Sequence, residues 1–482
     1  MTQKQSQILH VSSTHHLLLW KVAEYIGLSS FLIILPRFLG PDRYGDFAII
    51  YSALMLLWLV SSLGGQVTFG RYFPEFSRSE KPHQIETLFT YYYILRLLIS
   101  ALLAIVFFAI VRHLLPELNQ TLILTATGAF FLGGLSQSCT QLFYGQSHIS
   151  KWLTKDALSR LILAFFVLML SSHFGFASVI YGIFAVELLF FIVLHYWAMQ
   201  YFKLDFAAIT LPEFYNFFTF GIKFFISNLV LMVLWRSGEL IIGFVSNVPS
   251  EVAYYNLANS ITMALFFLFG NLFIMLAPSL TSFFIAEEHH KVDQWLSLVL
   301  KYLTIIMIFV LLVILVAGEY IIALLLGVDF VPVASNLFVM CMALIPLNIL
   351  RAGTSLSFIR KQPKKMLIVH AVAALTFFPL AWLGANIIGA MGVAWALFAA
   401  AVITSFFAYR IFSLANIVKL AEFWKIVIFG GGSLLATALM TSLPMYFSIV
   451  PIALYILLLF FTQIVTMSEV NLFFTRKPVS KA

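Results

Sequence analysis

The hydrophobic residues of the chain fall into runs of about 20 residues, with short polar stretches between them along the whole length. A helix of that length crosses the ~30 Å hydrocarbon layer of a bilayer. The alternating pattern of a membrane β-barrel is absent. The pattern therefore predicts an all-α integral membrane protein with about 14 transmembrane helices.

The predicted spans are joined by short loops that leave no room for a folded domain outside the membrane. Span seven is too long for one crossing, and we expect it to begin as an interfacial helix before Gly221. The spans are Leu17–Leu39, Tyr44–Gln66, Leu88–Val111, Thr121–Tyr144, Asp156–Ser172, Ala177–Met199, Phe214–Phe244, Val252–Ala277, Gln294–Ala317, Ala334–Phe358, Met366–Ala385, Ile388–Arg410, Phe423–Thr441 and Phe447–Met467.

Composition supports this prediction and limits the classes of function. Hydrophobic residues make up 62% of the 482 residues and charged residues 10%, whereas a soluble domain carries roughly 25% charged residues. No Walker-type nucleotide motif and no metal-binding histidine spacing are present. We therefore expect no enzymatic activity, no cofactor and no metal site.

Basic residues alternate between the two sides of the predicted membrane. One set of loops holds Arg43 and Arg112 alone. The other set, with the C-terminal tail, holds Arg71, Arg78, Lys81, Lys151, Lys155, Lys203, Lys291, Arg360, Lys361, Lys364, Lys365, Lys419, Arg476, Lys477 and Lys481. This asymmetry predicts that both termini are cytoplasmic. It also accounts for most of the net charge of +8, so no nucleic-acid partner is needed.

Two segments of the chain begin alike and indicate an internal repeat. Gly40 to Phe47 precedes the second predicted span, and Val248 to Tyr255 precedes the eighth, about 208 residues later. Each repeat holds about six spans, so both copies enter the membrane from the same face. We predict an N-lobe at residues 1–200, a C-lobe at 201–412, and a final helix pair with a cytoplasmic tail at 413–482.

Several charged residues lie within the predicted spans, where each costs roughly 2.5–3.5 kcal/mol at mid-bilayer if it faces lipid. Deep cations outnumber deep anions, which predicts a wet cavity of positive potential for a phosphate or carboxylate group. The substrate-binding candidates are Arg96, Lys223, Arg236 and Arg351. The candidates for ion coupling are Glu24, Glu187 and Glu239, because a carboxylate that changes its surroundings can take up and release a proton.

The segment Arg37 to Phe47 resembles the first external turn of the polysaccharide flippases in the multidrug/oligosaccharidyl-lipid/polysaccharide exporter superfamily. The shared pattern is an Arg, a Leu-Gly pair and Tyr-Gly-x-Phe, here Arg37, Leu39-Gly40 and Tyr44-Gly45-Asp46-Phe47. In the second copy Ala253 replaces the usual Gly. The resemblance extends over about 17–412.

The resemblance implies a flippase of the bacterial inner membrane, with an undecaprenyl-pyrophosphate-linked oligosaccharide such as an O-antigen unit as its substrate. Membrane lipids, and H⁺ or Na⁺ as a coupling ion, are the other partners that it implies. The resemblance assigns no role to any individual Arg of this chain, because members of the family differ in the charged residues that they use.

Three other functions remain open at this stage. A drug or small-solute cation antiporter on the same fold would favour an acidic cleft. A polysaccharide polymerase or ligase would need a long external loop with paired catalytic residues. A structural scaffold would gain nothing from charges inside the membrane.

Overall fold

The computed structural model describes residues 3–78, 83–145, 149–203, 205–206, 210–246, 248–360, 362–440 and 445–465. Within these ranges the secondary structure is helical and contains no β-strand. The predicted all-α class is therefore confirmed. The basic C-terminal tail, with Arg476, Lys477 and Lys481, lies outside the described residues.

Thirteen α-helices and one 3-10 turn make up the described ranges. They are α1 Gln3–Ser62, α2 Gly65–Arg78, α3 His83–Leu114, α4 Gln120–Gly145, α5 Ile149–Phe174, α6 Ala177–Tyr201, α7 Leu211–Val245, α8 Pro249–Ile285, α9 His289–Leu326, the 3-10 turn Val328–Phe330, α10 Val333–Ile359, α11 Pro363–Ile411, α12 Leu420–Met440 and α13 Met445–Phe461.

Two of these helices each contain two predicted spans. In α1 the backbone leaves the helical region at Gly40, with φ 71° and ψ 170°, a conformation that glycine adopts without the penalty of a Cβ atom. In α11 the break lies at Ile388 and Gly389. The break at Gly40 falls between two predicted spans, and the break in α11 coincides with the first two residues of the span predicted to begin at Ile388.

Ten helices of the described chain are long and apolar enough to cross a membrane, and the broken helices α1 and α11 are among them. The exact number of crossings stays a prediction. Helix α7 runs without interruption from Leu211 to Val245 after a capping box between Thr210 and Glu213, so the segment before Gly221 continues directly into the rest of the helix.

Helix α2 was not predicted, because its basic residues indicated a loop. It is a short amphipathic helix that buries Phe69 and Phe76. Its apolar residues recur at helical spacing, which was the signal available in the sequence. It follows the end of α1 after a break at Leu63 and Gly64, both with positive φ.

The helices pack as two compact units, residues 1–257 and residues 258–482. The N-terminal unit has its core along α1, where Leu35, Tyr44 and Ile50 are fully buried. In the C-terminal unit a hydrophobic cluster joins α9, α12 and α13 through residues that include Leu312, Ile426 and Tyr455. The predicted lobe boundaries at 200 and 412 stay predictions.

The two repeated segments contact each other within the N-terminal unit. A Cβ atom at Gly45 would overlap the carbonyl group of Pro249, so only glycine allows this close approach. Next to it, the Tyr44 hydroxyl donates to Oδ1 of Asn256 at 3.1 Å. The Tyr-Gly pair therefore has a packing role in this fold.

We predict that Gly45→Ala destabilises the protein by about 1–3 kcal/mol, because the new methyl group forces the backbone of α1 away from α8. The measurement is the loss of folded protein with temperature, followed by fluorescence-detected size exclusion in detergent. Gly431→Ala is the matched control, since nothing lies within 4 Å of a Cβ atom at that position. Equal transition temperatures for the two variants would contradict the prediction.

Candidate functional site

A buried ion pair lies inside the N-terminal unit. Nζ of Lys155 on α5 is 2.5 Å from Oε2 of Glu187 on α6, and the two side chains are 7% and 6% exposed. The same ammonium group donates to Oγ of Ser136 on α4 at 2.8 Å and lies 5.2 Å from the ring centroid of Trp58 on α1. Four helices therefore meet at one cation.

Gly133 makes room for this arrangement. A Cβ atom there would overlap the Trp58 ring and come within 2.7 Å of Oε2 of Glu187. The indole Nε1 of Trp58 donates to the carbonyl oxygen of Phe130 at 2.7 Å, which fixes the ring over the ammonium group. Because Gly133 has no side chain, the Trp58 ring and the Glu187 carboxylate can both lie against α4 and contact Lys155.

A cavity of about 140 Å³ lies beside the ion pair, large enough for several water molecules. We call it the buried-pair cavity. Its polar lining residues include Tyr51, Gln137, Lys155, Asp156, Ser159, Arg160 and Glu187. Groups of both charge signs line it, and this mutual pairing lowers the cost of burying each charge.

Arg96 on α3 is fully buried, and its partners are neutral. Nη1 donates to the Tyr92 hydroxyl at 3.0 Å and to Oε1 of Gln141 at 3.1 Å, and Nη2 donates to Oε1 of Gln137 at 2.8 Å. Oγ of Ser61 lies 3.4 Å away. Among the described residues no carboxylate pairs with this guanidinium group.

The Arg96 network is also attached to the end of helix α1. The Tyr92 hydroxyl contacts Gln141 and donates to the carbonyl oxygen of Ser62 at 2.8 Å, immediately before the break at Leu63 and Gly64. The carbonyl end of a helix carries partial negative charge. The Arg96 cation therefore stabilises a helix terminus inside the protein. Gln137, which accepts a hydrogen bond from Arg96, lines the buried-pair cavity, so a single side chain connects Arg96 with that cavity.

Among the described residues of the N-terminal unit, Glu239 on α7 is a second buried carboxylate. Its Oε1 accepts a hydrogen bond from Nδ2 of Asn256 at 3.1 Å, and Asn256 accepts from Tyr44. The carboxylate is thus linked to the repeated segments of the sequence. Arg236 lies one turn earlier on α7, half-buried and near Tyr44.

In the C-terminal unit, Arg351 of α10 lies against α8. Its guanidinium carbon is 3.6 Å from the ring centroid of Phe266, and Nη1 donates to the carbonyl oxygen of the same residue. The group occupies the space that a side chain at Gly270 would fill. A guanidinium has several N–H donors, and within the described ranges no carboxylate pairs with Arg351.

The structure brings together only some of the predicted site residues. Glu187 lies at the buried-pair cavity, Glu24 lies near Arg160 of its lining, and Arg96 lies behind Gln137. Arg236 and Glu239 form a second group. Lys223 belongs to α7, and its side chain lies outside the described part of the chain.

Lys155 was assigned to a cytoplasmic loop, and that assignment was wrong. The residue lies within the second turn of α5 and is buried. Its position between buried Leu153 and Ala157, four residues after Lys151, was a helical signal. Its partner Glu187 is 32 residues away in the chain, which no local pattern reveals.

Comparison with solved structures shows which fold this is. A lipid II flippase MurJ in an inward closed conformation matches with a TM-score of 0.70 and 16% identity, over 93% of this chain and 100% of that one. An inward-facing multidrug resistance MATE family transporter of the MOP superfamily matches with a TM-score of 0.64 and 12% identity, over 83% and 95% of the chains.

An outward-facing conformation of a multidrug resistance MATE family transporter also matches, with a TM-score of 0.57 and 12% identity, over 86% and 97% of the chains. The chain therefore shares the fold of these solved flippase and transporter structures.

Residues 14–284 match the model of the family described as polysaccharide biosynthesis protein. The match covers more than half of the chain, so the chain belongs to this family. No protein of curated function matches its sequence.

We predict that Lys155→Met destabilises the protein by about 3–5 kcal/mol, because it leaves the Glu187 carboxylate buried without its partner. Adding Glu187→Gln recovers a large part of this loss. The measurement is a double-mutant cycle of unfolding free energies in mixed detergent. Additivity of the two single effects to within about 0.5 kcal/mol would contradict the coupling.

Proposed function

We propose that the protein is a flippase that moves undecaprenyl-pyrophosphate-linked oligosaccharide from the cytoplasmic to the external leaflet of the bacterial inner membrane. Transport proceeds by alternating access and is coupled to an ion. Membership of the polysaccharide biosynthesis family supports the glycan class of the substrate. The cations within the membrane-spanning helices support its negative charge.

The observation that carries the proposal is the environment of Arg351. A cation in a membrane-spanning helix normally pairs with an anion or lines a wet path. Arg351 is only partly buried, and its described partners are an aromatic ring and one backbone carbonyl. The remaining N–H donors form a planar fork that suits phosphate oxygens.

We propose that Lys223 and Arg236 on α7 also contribute positive potential that attracts the pyrophosphate, and that Arg96 does so indirectly through Gln137. The pyrophosphate is thus attracted by several cations, and no single ion pair holds it so tightly that release becomes slow. In this proposal the carboxylates Glu24, Glu187 and Glu239 couple transport to an ion, which is H⁺ or Na⁺.

The alternative is a multidrug or small-solute cation antiporter. Full burial of the Glu239 carboxylate within a membrane-spanning unit favours it, because such a group can bind an organic cation. The two functions require substrates of opposite charge, so one transport experiment separates them.

The deciding experiment uses the purified chain in lipid vesicles that contain a fluorescent lipid-linked oligosaccharide. The proposal predicts that the glycan becomes accessible on the opposite leaflet, and that an imposed ion gradient accelerates this. Changing Glu24, Glu187 and Glu239 together to Gln should abolish the acceleration. Movement of small cationic dyes without movement of the glycolipid would instead establish the antiporter.

We predict that Arg351→Gln lowers the initial flipping rate about 10- to 100-fold, the loss expected for a charge-assisted hydrogen bond to phosphate. Gly270→Ala should lower it in the same direction, because the methyl group occupies the place of the guanidinium. Gly431→Ala serves as the control at equal protein density. A wild-type rate in Arg351→Gln would remove Arg351 from the binding site.

A further inference from the structure

The buried-pair cavity contains a cation that the proposed coupling scheme does not use. The Lys155 ammonium group has three N–H donors, and three groups surround it: Glu187, Ser136 and the face of Trp58. All three belong to different helices. The ammonium is therefore held in place as a charged group that the protein itself supplies.

The position of this ammonium determines what else can reach Glu187. It lies 2.5 Å from Oε2, in the place that a metal cation bound to that oxygen would need. Sodium needs several oxygen ligands at short range, and a fixed positive charge at that distance repels it. A proton needs only one lone pair of the carboxylate and, unlike sodium, no set of surrounding oxygen ligands.

The other carboxylate oxygen is free to accept that proton. Oε1 of Glu187 has no hydrogen-bond donor among the described residues, and Glu187 lines the buried-pair cavity. Water in the cavity would bring a proton to Oε1 while Oε2 keeps its contact with Lys155. Protonation then leaves one net positive charge at the pair.

We propose that Lys155 is a built-in counter-cation that makes Glu187 a proton-selective coupling site and excludes sodium from it. The charged and titratable groups near the pair are Tyr51 from α1, Arg96 from α3 through Gln137, Cys139 from α4, and Asp156 and Arg160 from α5. Glu24 of α1 acts on Arg160. The selectivity of Glu187 comes from the one cation in direct contact with it.

The inference deepens the proposed function, but its principal test needs no glycan. Infrared difference spectra of the purified full chain in nanodiscs are recorded during a pH titration. Subtraction of the Glu187→Gln spectra isolates the protonated carboxyl band of Glu187. In the wild-type protein this band should titrate at the same pH in sodium chloride and in choline chloride.

Removing the built-in cation should change that titration. In Lys155→Met the midpoint of the Glu187 band should rise by about 1–3 pH units, because an opposite charge next to a carboxylate favours its ionised form. Lys155→Arg keeps the charge and should leave the midpoint close to the wild-type value. Ser136→Ala removes one hydrogen bond of the ammonium without changing any charge and serves as the matched control.

Two results would overturn the inference. One is a sodium-dependent fall of the Glu187 midpoint in the wild-type protein, which shows that sodium competes with the proton. The other is an unchanged midpoint in Lys155→Met. If that variant does not fold, the comparison of sodium and choline in the wild-type protein still decides. A normal titration with no glycan movement in vesicles would refute the proposed function and leave this inference standing.

Discussion

The structure depends on one constraint: a charged side chain inside the membrane must find its partner within the protein. A buried charge without a partner costs several kcal/mol, and breaking a buried pair costs about 3–5 kcal/mol. Lys155 meets this constraint with a carboxylate, Arg96 with side-chain oxygens, and Arg351 with an aromatic face and a backbone carbonyl. These three solutions differ in what they leave available. The lysine is surrounded on all sides, the buried arginine is bonded to neutral groups, and Arg351 keeps N–H donors that no described carboxylate pairs with.

Glycine is the means by which the helices admit these large polar groups. Gly133 leaves space for Trp58 and Glu187, and Gly270 leaves space for the guanidinium of Arg351. In each case the missing side chain lies directly opposite the charge, so the backbone of one helix forms a wall of the polar site. Close helix contact through small residues is a general device in membranes. Here the space left by the glycine is filled by a charged side chain and its partners, and not by the backbone of a second helix.

The sequence predicts the helices well and their polar contacts poorly. Hydrophobic runs depend on the membrane thickness alone, so most of each predicted span lies in a helix of the described chain. The break at Gly40 separates two predicted spans, and the break at Ile388 and Gly389 marks the start of another. Helix α2 was missed, because a half-apolar helix at the surface has the composition of a loop. Lys155 was placed in a loop, because a lysine near the end of an apolar run fits the positive-inside rule equally well. Which charge faces which depends on contacts between helices that are distant in the sequence.

The neutral surroundings of Arg96 bear on how a substrate and an ion can be coupled within one unit. Its guanidinium touches the terminus of α1 through Ser61 and Tyr92, and it touches the lining of the buried-pair cavity through Gln137. A change of charge at Glu187 alters the electrostatic potential at Gln137, and the Arg96 group that donates to Gln137 also donates to Ser61, just before the helix break at Leu63 and Gly64. The cation is thus a physical connection between the surroundings of the carboxylate and a break in the backbone. Such a connection makes allosteric coupling possible only if the break has two arrangements that Glu187 favours differently.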